Sequence, residues 1–228
     1  MNRVPDTELN IWEHSSTARN LYIHRAHGHD EMDAAAQCAA ILGPYITGAE
    51  NPPRLLDVGC GSGYLWHSFK KRNLAVEYYG LDYSPSYIEI ARSLLPQYGV
   101  PAERLICGRV EDLRGQSFDL AAMLNTLTFC PDFREPLDRL AGTGARVLVL
   151  RDNFGPETVI RWETDGYLDD GYNHLKAYWN RWGMAEVENF LREYGYRSEW
   201  ITDKRVQGAV EMVVDKPYYW SWLLAVKG

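Results

Sequence analysis

The chain has 228 residues, 46% hydrophobic and 24% charged, which is long enough to bury one substantial core. Its net charge of −7 and pI of about 5.4 argue against a broad basic surface, so we expect no nucleic-acid partner. The opening MNRVPDTELN lacks the apolar centre of a signal peptide, and no apolar run reaches the length of a membrane span. The four cysteines show no CxxC pair or disulfide-framework spacing, so we expect free thiols in a cytoplasmic protein.

The first part of the chain is predicted to form a helical cap. Residues up to about Leu21 are polar, and we expect them to be only partly ordered. The run EMDAAAQCAAILGPYI, from Glu31 to Ile46, is rich in alanine and has helical periodicity, with Gly43-Pro44 marking the end of the helix. Asn51-Pro52-Pro53 then acts as a connector.

The middle of the chain alternates short apolar runs with helical segments. Strands are predicted at Arg54–Val58, Glu77–Leu81, Leu105–Gly108, Phe118–Leu124 and Arg146–Leu150. Helices are predicted at Tyr64–Arg72, Pro85–Leu95 and Pro136–Ala141. Short apolar strands that alternate with helices indicate an α/β fold with a parallel, doubly wound, Rossmann-like sheet covered on both faces.

The end of the chain departs from this alternation. A helix over Ala185–Tyr194 ends at Gly195, and strand composition returns in Arg197–Thr202 and in the aromatic run Tyr218–Val226. No helix fits between these two strands, so we expect them to pair as an antiparallel hairpin at the edge of the sheet.

A long insert rich in Asp, Tyr, Trp and Asn lies between Asn153 and Gly183. Long insertions in compact domains are often lids or binding loops. Its aromatic part, from Tyr167 to Trp182, is expected either to stack on a ring-shaped or sugar ligand or to pack against the sheet.

The most informative run is LLDVGCGSGYL, from Leu55 to Leu65, in which a strand ends in a glycine-rich turn. Such a turn presents backbone N–H groups to a ligand at the carboxyl edge of a sheet. The glycines follow the pattern G-x-G-x-G, and Tyr64 stands where a dinucleotide-binding turn needs its third glycine. Asp57 precedes them, and its negative charge would oppose a pyrophosphate. The turn therefore favours a phosphate-free ligand that carries an amino group or a positive charge.

Two further signals follow the next strands. Asp82 ends the second strand, 19 residues beyond Gly63, where a carboxylate can accept hydrogen bonds from ribose hydroxyls. After the third strand comes GRVEDL, in which the backbone N–H of Val110 and the carboxylate of Glu111 or Asp112 are placed to contact the edge of an adenine ring. Together these positions predict an adenosine-containing ligand.

This combination resembles the class I S-adenosylmethionine-dependent methyltransferases over roughly Leu55 to Leu150. Asp57-Val-Gly-Cys-Gly-Ser-Gly63 matches the family's first motif, Asp82 its ribose-binding acid, and Phe118-Asp-Leu the strand that leads to the substrate side. The third motif usually has an acid where this chain has Arg109, which leaves the adenine contact to Glu111 and the backbone. The resemblance implies S-adenosylmethionine as cofactor, S-adenosylhomocysteine as product, and about seven strands with an antiparallel C-terminal hairpin.

The resemblance also suggests residues beyond the motifs. Asn125 follows the fourth strand, where the family's methionine moiety and substrate approach, although capping of the next turn explains it equally well. Arg25, with Tyr22 before it, is placed to meet the cofactor's carboxylate, and the alternative is a surface arginine. The predicted cofactor-binding residues are Tyr22, Arg25, Asp57, Gly59, Cys60, Gly61, Gly63, Asp82, Tyr83, Val110, Glu111 and Asn125.

The implied reaction displaces a methyl group from a sulfonium, so positioning and desolvation matter more than acid chemistry. An oxygen nucleophile loses a proton, and a nearby base would assist it. The predicted catalytic residues are His174 in the insert and Asp152 after the fifth strand, with His27 and His29 as further candidates. The histidines of HRAHGHD that flank Gly28 do not share a helix face, so no metal site is predicted.

We expect a single methyltransferase domain over 1–228 that acts on an oxygen or nitrogen of a small molecule. Sugars and secondary metabolites are the candidate acceptors. The acceptor is expected above the carboxyl ends of the fourth and fifth strands. Alternatives are an NAD(P)-dependent oxidoreductase on the same fold, a non-catalytic S-adenosylmethionine-binding protein, and an RNA or protein methyltransferase. The oligomeric state stays open, a homodimer included. The expected parts are a cap (1–50), a cofactor-binding core (51–152), a lid over the acceptor (153–183) and a C-terminal helix with hairpin (184–228).

Overall fold

The structure is a computed structural model that describes residues 10–166, 168–213 and 215–228. Its α-helices are α1 (Ser16–Ala26), α2 (Asp33–Ile46), α3 (Leu65–Lys71), α4 (Pro85–Leu94), α5 (Arg134–Gly142) and α6 (Met184–Glu193). Its strands are β1 (Arg54–Val58), β2 (Glu77–Asp82), β3 (Leu105–Cys107), β4 (Leu120–Leu124), β5 (Val147–Gly155), β6 (Trp162–Thr164), β7 (Lys176–Tyr178), β8 (Trp182–Gly183), β9 (Tyr196–Thr202), β10 (Glu211–Val213), β11 (Lys216–Tyr218) and β12 (Trp220–Lys227). Among the described residues, no helix is long and apolar enough to cross a membrane.

The main sheet has the strand order β3-β2-β1-β4-β5-β12-β9, and β8 adds a short parallel pairing to β5. The five strands β3, β2, β1, β4 and β5 are parallel to one another, while β12 is antiparallel to both β5 and β9. From β1 the chain adds β2 and β3 on one side, and it then crosses back to add β4 and β5 on the other side of β1. This reversal opens a crevice at the carboxyl ends of the strands, where doubly wound sheets bind ligands. The predicted α/β sheet is confirmed.

The C-terminal strands pair as predicted, but their position in the sheet differs. β9 and β12 are antiparallel, yet β12 lies inside the sheet between β5 and β9, so the edge strand is β9. Trp222 and Leu223 of β12 are both fully buried, because both faces of an internal strand are covered. The connection between the two strands contains the small antiparallel pair β10–β11.

Both faces of the sheet are packed, as the continuous apolar strands predict. Leu56 and Leu148 lie on the face covered by α5 and α6, whereas Leu55 and Val149 lie on the face covered by α2 and α3. Successive side chains of a strand point to opposite faces, so neighbours such as Leu55 and Leu56 lie on different sides of the sheet. The buried sheet holds the loops at its carboxyl edge in fixed positions.

The N-terminal segment is folded where its polar composition predicts only partial order. Ile11 is 2% exposed within a 3-10 helix, and α1 begins after Ser15, whose hydroxyl accepts a hydrogen bond from the Ala18 N–H at 3.2 Å. The expectation of partial order up to Leu21 is therefore wrong from residue 10 onward, and residues 1–9 lie outside the described residues. The sequence of α1 has no apolar stripe, so periodicity does not reveal this helix.

Helix α2 continues past the predicted stop at Gly43-Pro44. Pro44 lies in the last turn, where its missing N–H removes one helical hydrogen bond. Leu42 and Ile46 are buried against the core on either side of it, and their burial holds the final turn in place.

The insert between residues 153 and 183 contains short strands joined by turns. Its first residues continue β5, and β6 pairs with β7 so that Trp162 lies opposite Tyr178. Asn180 anchors the end of the insert, since its Nδ2 donates to the Cys130 carbonyl at 2.7 Å and its Oδ1 accepts from the Arg161 N–H at 2.8 Å. Tyr167, where the predicted aromatic part begins, lies outside the described residues.

Candidate functional site

The glycine turn, residues 59–63, follows β1 at the crevice of the sheet edge. Gly59, Gly61 and Gly63 have φ angles of 70°, 55° and 76°, a region that residues with a Cβ rarely adopt. A Cβ at Gly59 would collide with Thr126, and one at Gly61 would lie 2.5 Å from Cε1 of Tyr22. The chain's own backbone and packing therefore require glycine at these positions.

The backbone N–H groups of the turn are used within the protein, contrary to the expectation that the turn offers them to a ligand. The N–H groups of Gly59 and Cys60 donate to the Leu81 carbonyl at 2.8 and 3.1 Å. The Gly61 N–H donates to Oδ2 of Asp82 at 2.8 Å. These three donors are not available to a pyrophosphate, which free N–H groups would bind.

Two adjoining cavities open beside the turn. The larger cavity has a volume of about 320 Å³ and the smaller cavity about 250 Å³. Gly59, Asp82, Tyr83 and Thr126 line both of them, so the two spaces meet where β1, β2 and β4 end. Cavities of this order hold small organic ligands.

Asp82 stands at the junction of the two cavities. Its side chain is 8% exposed, and its Oδ1 accepts the Ser84 N–H at 2.9 Å while its Oδ2 accepts the Gly61 N–H. Burial raises its pKa to about 6, although both backbone hydrogen bonds stabilise the charged form. A carboxylate oxygen has more than one lone pair, so Asp82 can also accept hydrogen bonds from ligand hydroxyls.

Asp57 lies beneath the turn and lines neither cavity. It is 2% exposed, and its Oδ2 accepts a hydrogen bond from the Tyr78 hydroxyl at 2.5 Å, which ties β1 to β2. Burial raises its pKa to about 7, with the Tyr78 bond acting in the opposite direction and Asp82 adding to the increase. Cys60 is also buried, and its Sγ lies 3.5 Å from the Gly61 carbonyl oxygen.

The smaller cavity collects the residues of the third sequence signal. Val110 and Glu111 line it, together with Arg109, whereas Asp112 is exposed and is not part of its wall. The Arg109 guanidinium carbon lies 5.4 Å from the centre of the Tyr83 ring. Strands β6 and β7 also contribute to the wall, so the insert covers this cavity as well as the larger one.

The larger cavity is walled mainly by aromatic rings from distant parts of the chain. The Phe129 ring meets Trp12 and Trp179 edge to face, with ring centres 5.0 and 5.2 Å apart, and the rings of Tyr218 and Trp220 are 4.6 Å apart. The sequence predicts that the N-terminal segment and the insert cover this region. It does not reveal the C-terminal contribution, because an aromatic strand is equally typical of a core.

Tyr22 and Arg25 of α1 lie in different surroundings. Tyr22 covers the glycine turn and lines the larger cavity, and its backbone carbonyl accepts a hydrogen bond from the Ser62 hydroxyl at 2.7 Å. The Arg25 guanidinium carbon lies 5.4 and 5.6 Å from the ring centres of Tyr22 and Tyr64. Arg25 lines a third cavity of about 290 Å³ and neither of the two beside the turn. Its contact with a cofactor carboxylate stays a prediction.

Asn125 lines the larger cavity, but its side chain has a partner inside the protein. Its N–H donates to the Arg151 carbonyl at 2.7 Å, and its Oδ1 accepts from the Arg151 guanidinium. The Arg151 Nε donates to Asp203 at 2.6 Å, and both of these residues are buried. This buried polar network holds Asn125 at a φ of 56°, in place of the turn cap considered from the sequence.

The two predicted catalytic residues lie off the walls of both cavities beside the turn. Asp152 is fully buried, and its Oδ1 accepts the N–H groups of Asn153 at 2.8 Å and Thr128 at 3.2 Å, so it supports the 3-10 turn Leu127–Phe129. Burial raises its pKa to about 6. His174 is exposed in the turn that precedes β7. The structure therefore does not bring these two residues to the cavities.

The histidine-rich segment HRAHGHD lies on the surface. The Nε2 atom of His24 is 2.6 Å from Oδ2 of Asp30, and the rings of His27 and His29 stack with centres 5.5 Å apart. Within the described ranges, no three His, Cys, Asp or Glu side chains are grouped closely enough to hold a metal ion.

Residues 56–143 match the family model described as a methyltransferase domain. No curated protein sequence matches the chain. Among solved structures, magnesium protoporphyrin IX methyltransferase from Synechocystis PCC 6803 with bound S-adenosylmethionine is similar, with a TM-score of 0.61, 18% identity and coverage of 100% of both chains.

Two further solved structures share the fold. An S-adenosylmethionine-dependent methyltransferase from Clostridium acetobutylicum ATCC 824 has a TM-score of 0.59 and 14% identity, with 92% of this chain and 98% of that chain covered. The cyclase SpnF has a TM-score of 0.61 and 16% identity, with 88% and 84% covered. Residues 56–143 therefore match a methyltransferase domain, and the chain has the class I Rossmann-like fold of these S-adenosylmethionine-dependent methyltransferases, so the predicted resemblance and fold class are confirmed.

Proposed function

We propose that this protein is an S-adenosylmethionine-dependent methyltransferase that transfers a methyl group to an oxygen or nitrogen of a small molecule. The observation that supports this most directly is the junction at Gly59, Asp82 and Thr126, where the smaller cavity adjoins the aromatic larger cavity. Methyl transfer needs the cofactor and the acceptor held next to each other in a fixed orientation. Two adjoining cavities on a rigid sheet edge suit that requirement.

The smaller cavity suits the adenosine part of the cofactor. Asp82 would accept hydrogen bonds from the ribose hydroxyls, and Glu111 with the Val110 backbone would contact the adenine edge. The glycine turn fits a cofactor without phosphates, since three of its N–H groups already have partners. Asp57 beneath the turn supplies a negative charge, when ionised, that favours a cationic ligand.

When bound, the cofactor would supply an electrophilic methyl group on a cationic sulfonium, while Asp82, Glu111 and the Val110 backbone would hold its adenosine part. The aromatic walls of the larger cavity keep water from the reacting atoms and hold the acceptor. Burial raises the pKa of Tyr22 to about 12, so this hydroxyl stays protonated at neutral pH and orients groups rather than removing a proton.

A small acceptor fits the dimensions and the charge of the protein. The larger cavity has about 320 Å³, and the chain carries a net charge of −7, which does not favour a nucleic-acid substrate. The proposal includes a cytoplasmic setting, since the cysteines are free thiols and Cys38 and Cys60 are buried.

Two experiments test the proposal. The first is calorimetric titration with S-adenosylhomocysteine and with NADH. The second measures transfer of a labelled methyl group to hydroxylated and aminated small molecules, sugars, RNA and protein. We expect saturable binding of S-adenosylhomocysteine, no binding of NADH, and label only in small molecules. Binding of NADH alone would favour an oxidoreductase, and cofactor binding without transfer to any acceptor would favour a non-catalytic protein. Label in RNA or protein would overturn the small-molecule assignment.

A further inference from the structure

We infer that the larger cavity takes a planar ring that carries a hydroxyl or amino group, and that Tyr218 accepts a hydrogen bond from that group. This inference rests on the proposed function, because it assigns a substrate class to the acceptor side of the same site. The evidence is the direction of the hydrogen bonds around Tyr218, an unpaired donor on Trp179, and the aromatic character of the wall.

The Tyr218 hydroxyl is held with its oxygen free to accept. Oγ1 of Thr128 lies 2.6 Å from the Asn180 carbonyl oxygen and 3.3 Å from the Tyr218 hydroxyl oxygen. A threonine hydroxyl has one hydrogen, and the shorter contact to a pure acceptor takes it. The 3.3 Å contact between the two hydroxyls is therefore a hydrogen bond when Tyr218 donates its hydrogen to Oγ1 of Thr128. The remaining lone pairs of the Tyr218 oxygen can only accept, so this side of the cavity selects a ligand that donates.

Trp179 supplies the complementary group. Its side chain is 3% exposed and lines the larger cavity, and its Nε1 has no hydrogen-bond partner in the described part of the chain. An indole N–H can only donate, and a buried donor without a partner is unfavourable. The Nε1 atom has almost no exposed surface, so a ligand that also carries an acceptor atom would satisfy it after a small turn of the ring.

The surrounding wall favours a flat ligand. Trp12, Phe129, Trp179 and Trp220 present rings, and flat rings pack on one another by stacking or edge-to-face contact. Asp165 adds one carboxylate to the wall. A sugar would bury several hydroxyls among these rings, and each one without a partner weakens binding. A planar ring with one donor group matches the wall more closely.

Paired ring compounds test the direction of the Tyr218 hydrogen bond. The probes are 1-naphthol, which donates through its hydroxyl, 1-methoxynaphthalene, which only accepts, and glucose, each titrated into protein saturated with S-adenosylhomocysteine. We expect naphthol to bind about tenfold more tightly than methoxynaphthalene, the ratio that corresponds to one hydrogen bond. Glucose should bind more weakly than either.

Two conservative variants separate this role from a structural one. Tyr218→Phe keeps the ring and should reduce the naphthol preference to about one. Thr128→Val removes the acceptor of the Tyr218 hydrogen, so the hydroxyl can donate to the ligand and the preference should shift toward methoxynaphthalene. The Asn180 carbonyl still accepts from Nδ2 of Asn153 at 3.2 Å in that variant. S-adenosylhomocysteine affinity should not change in either variant.

A ratio near one in the wild-type protein, a ratio that Tyr218→Phe leaves unchanged, or tighter binding of glucose would each overturn the inference. So would the absence of naphthol binding up to its solubility limit. If Tyr218→Phe does not fold, the wild-type ratio and the Thr128→Val shift decide the question. Failure of the proposed function is a different result, since S-adenosylhomocysteine itself would then not bind, and the naphthol ratio measured on the protein alone would still test Tyr218.

Discussion

The two cavities beside the glycine turn are built in different ways. The smaller cavity lies at the carboxyl ends of successive strands, where Gly59 follows β1, Asp82 ends β2 and Glu111 comes after β3. The larger cavity depends on rings such as Trp12 and Tyr218, which are far apart in the chain. The first arrangement leaves a spaced motif in the sequence, and the second leaves only scattered aromatic residues. The cavity proposed for the cofactor is therefore readable from local spacing, whereas the cavity proposed for the acceptor depends on the tertiary structure.

Arg151 supports the wall of the larger cavity. Its guanidinium donates to Asn125, which lines that cavity, and its Nε donates to Asp203 in the C-terminal part. The guanidinium carbon also lies 4.1 Å from the centre of the Trp220 ring, which lines the larger cavity. This network therefore gives a way to perturb the larger cavity without changing a residue of the smaller cavity.

Arg151→Met should have the largest effect on stability. It leaves Asp203 buried without its cationic partner, and breaking a buried ion pair costs about 3–5 kcal/mol. Urea unfolding measures the loss. The double variant Arg151→Met with Asp203→Asn should recover part of it, because no unpaired charge remains. A double variant as unstable as the single one would show that the loss has another origin.

Gly61→Val tests the packing of the glycine turn against Tyr22. Its φ of 55° is strained for a β-branched residue, and its Cβ would lie 2.5 Å from the Tyr22 ring, so we expect a loss of about 3 kcal/mol and no measurable S-adenosylhomocysteine binding. Gly115→Val is the matched control, with a φ of 66° but no atom within 4 Å of the added Cβ. It should lose only about 1–2 kcal/mol through backbone strain and keep its binding. Equal loss of binding in both variants would mean that space at the turn is not the cause.

Asp57→Asn tests the buried acid beneath the turn. The folded pKa of about 7 is higher than that of an unfolded aspartate near 4, so the folded state retains a proton that the unfolded state has released. Stability from this group is present at low pH and is lost as the pH rises toward 7. An asparagine has no such titration, so the wild-type free energy of unfolding should fall more steeply than that of the variant between pH 5 and 7. Parallel curves in urea unfolding without cofactor would contradict the pKa.

His174→Ala should have the smallest effect. The residue is exposed and lies off both cavity walls, so its removal should change stability by less than about 0.5 kcal/mol and leave the rate of methyl transfer unchanged. A rate that falls tenfold or more would place His174 in the reaction after all.

The cofactor side was largely predictable from sequence. The bounds of β1 agree with the predicted Arg54–Val58, because a continuous apolar run ends in glycines that mark the turn. Asp82 reaches the cavity wall as its position at the end of β2 implies. The hydrogen bonds of the turn were not predictable, since the Leu81 carbonyl that accepts from Gly59 belongs to a neighbouring strand.

The acceptor side was predictable only in part. Helix α1 carries Tyr22 to the turn, but its sequence lacks an apolar stripe and composition indicates partial order instead. Tyr218 and Trp220 lie in a run whose strand character is clear, while its place in the sheet and its contact with the cavity depend on pairing with distant segments. Thr126 lines both cavities, and its position directly after Asn125, just beyond the end of β4, is the sequence signal that identifies it.

Calorimetric titration of S-adenosylhomocysteine into the wild-type, Asp82→Ala and Asp112→Ala proteins tests most directly whether the junction of the two cavities holds the cofactor. Asp82→Ala should weaken binding by about 1–3 kcal/mol, because ribose hydroxyls lose their partner. Asp112→Ala should bind as the wild type does, since Asp112 is exposed and off the wall. An affinity that Asp82→Ala leaves unchanged, in a protein with a normal unfolding curve, would contradict the placement of the cofactor.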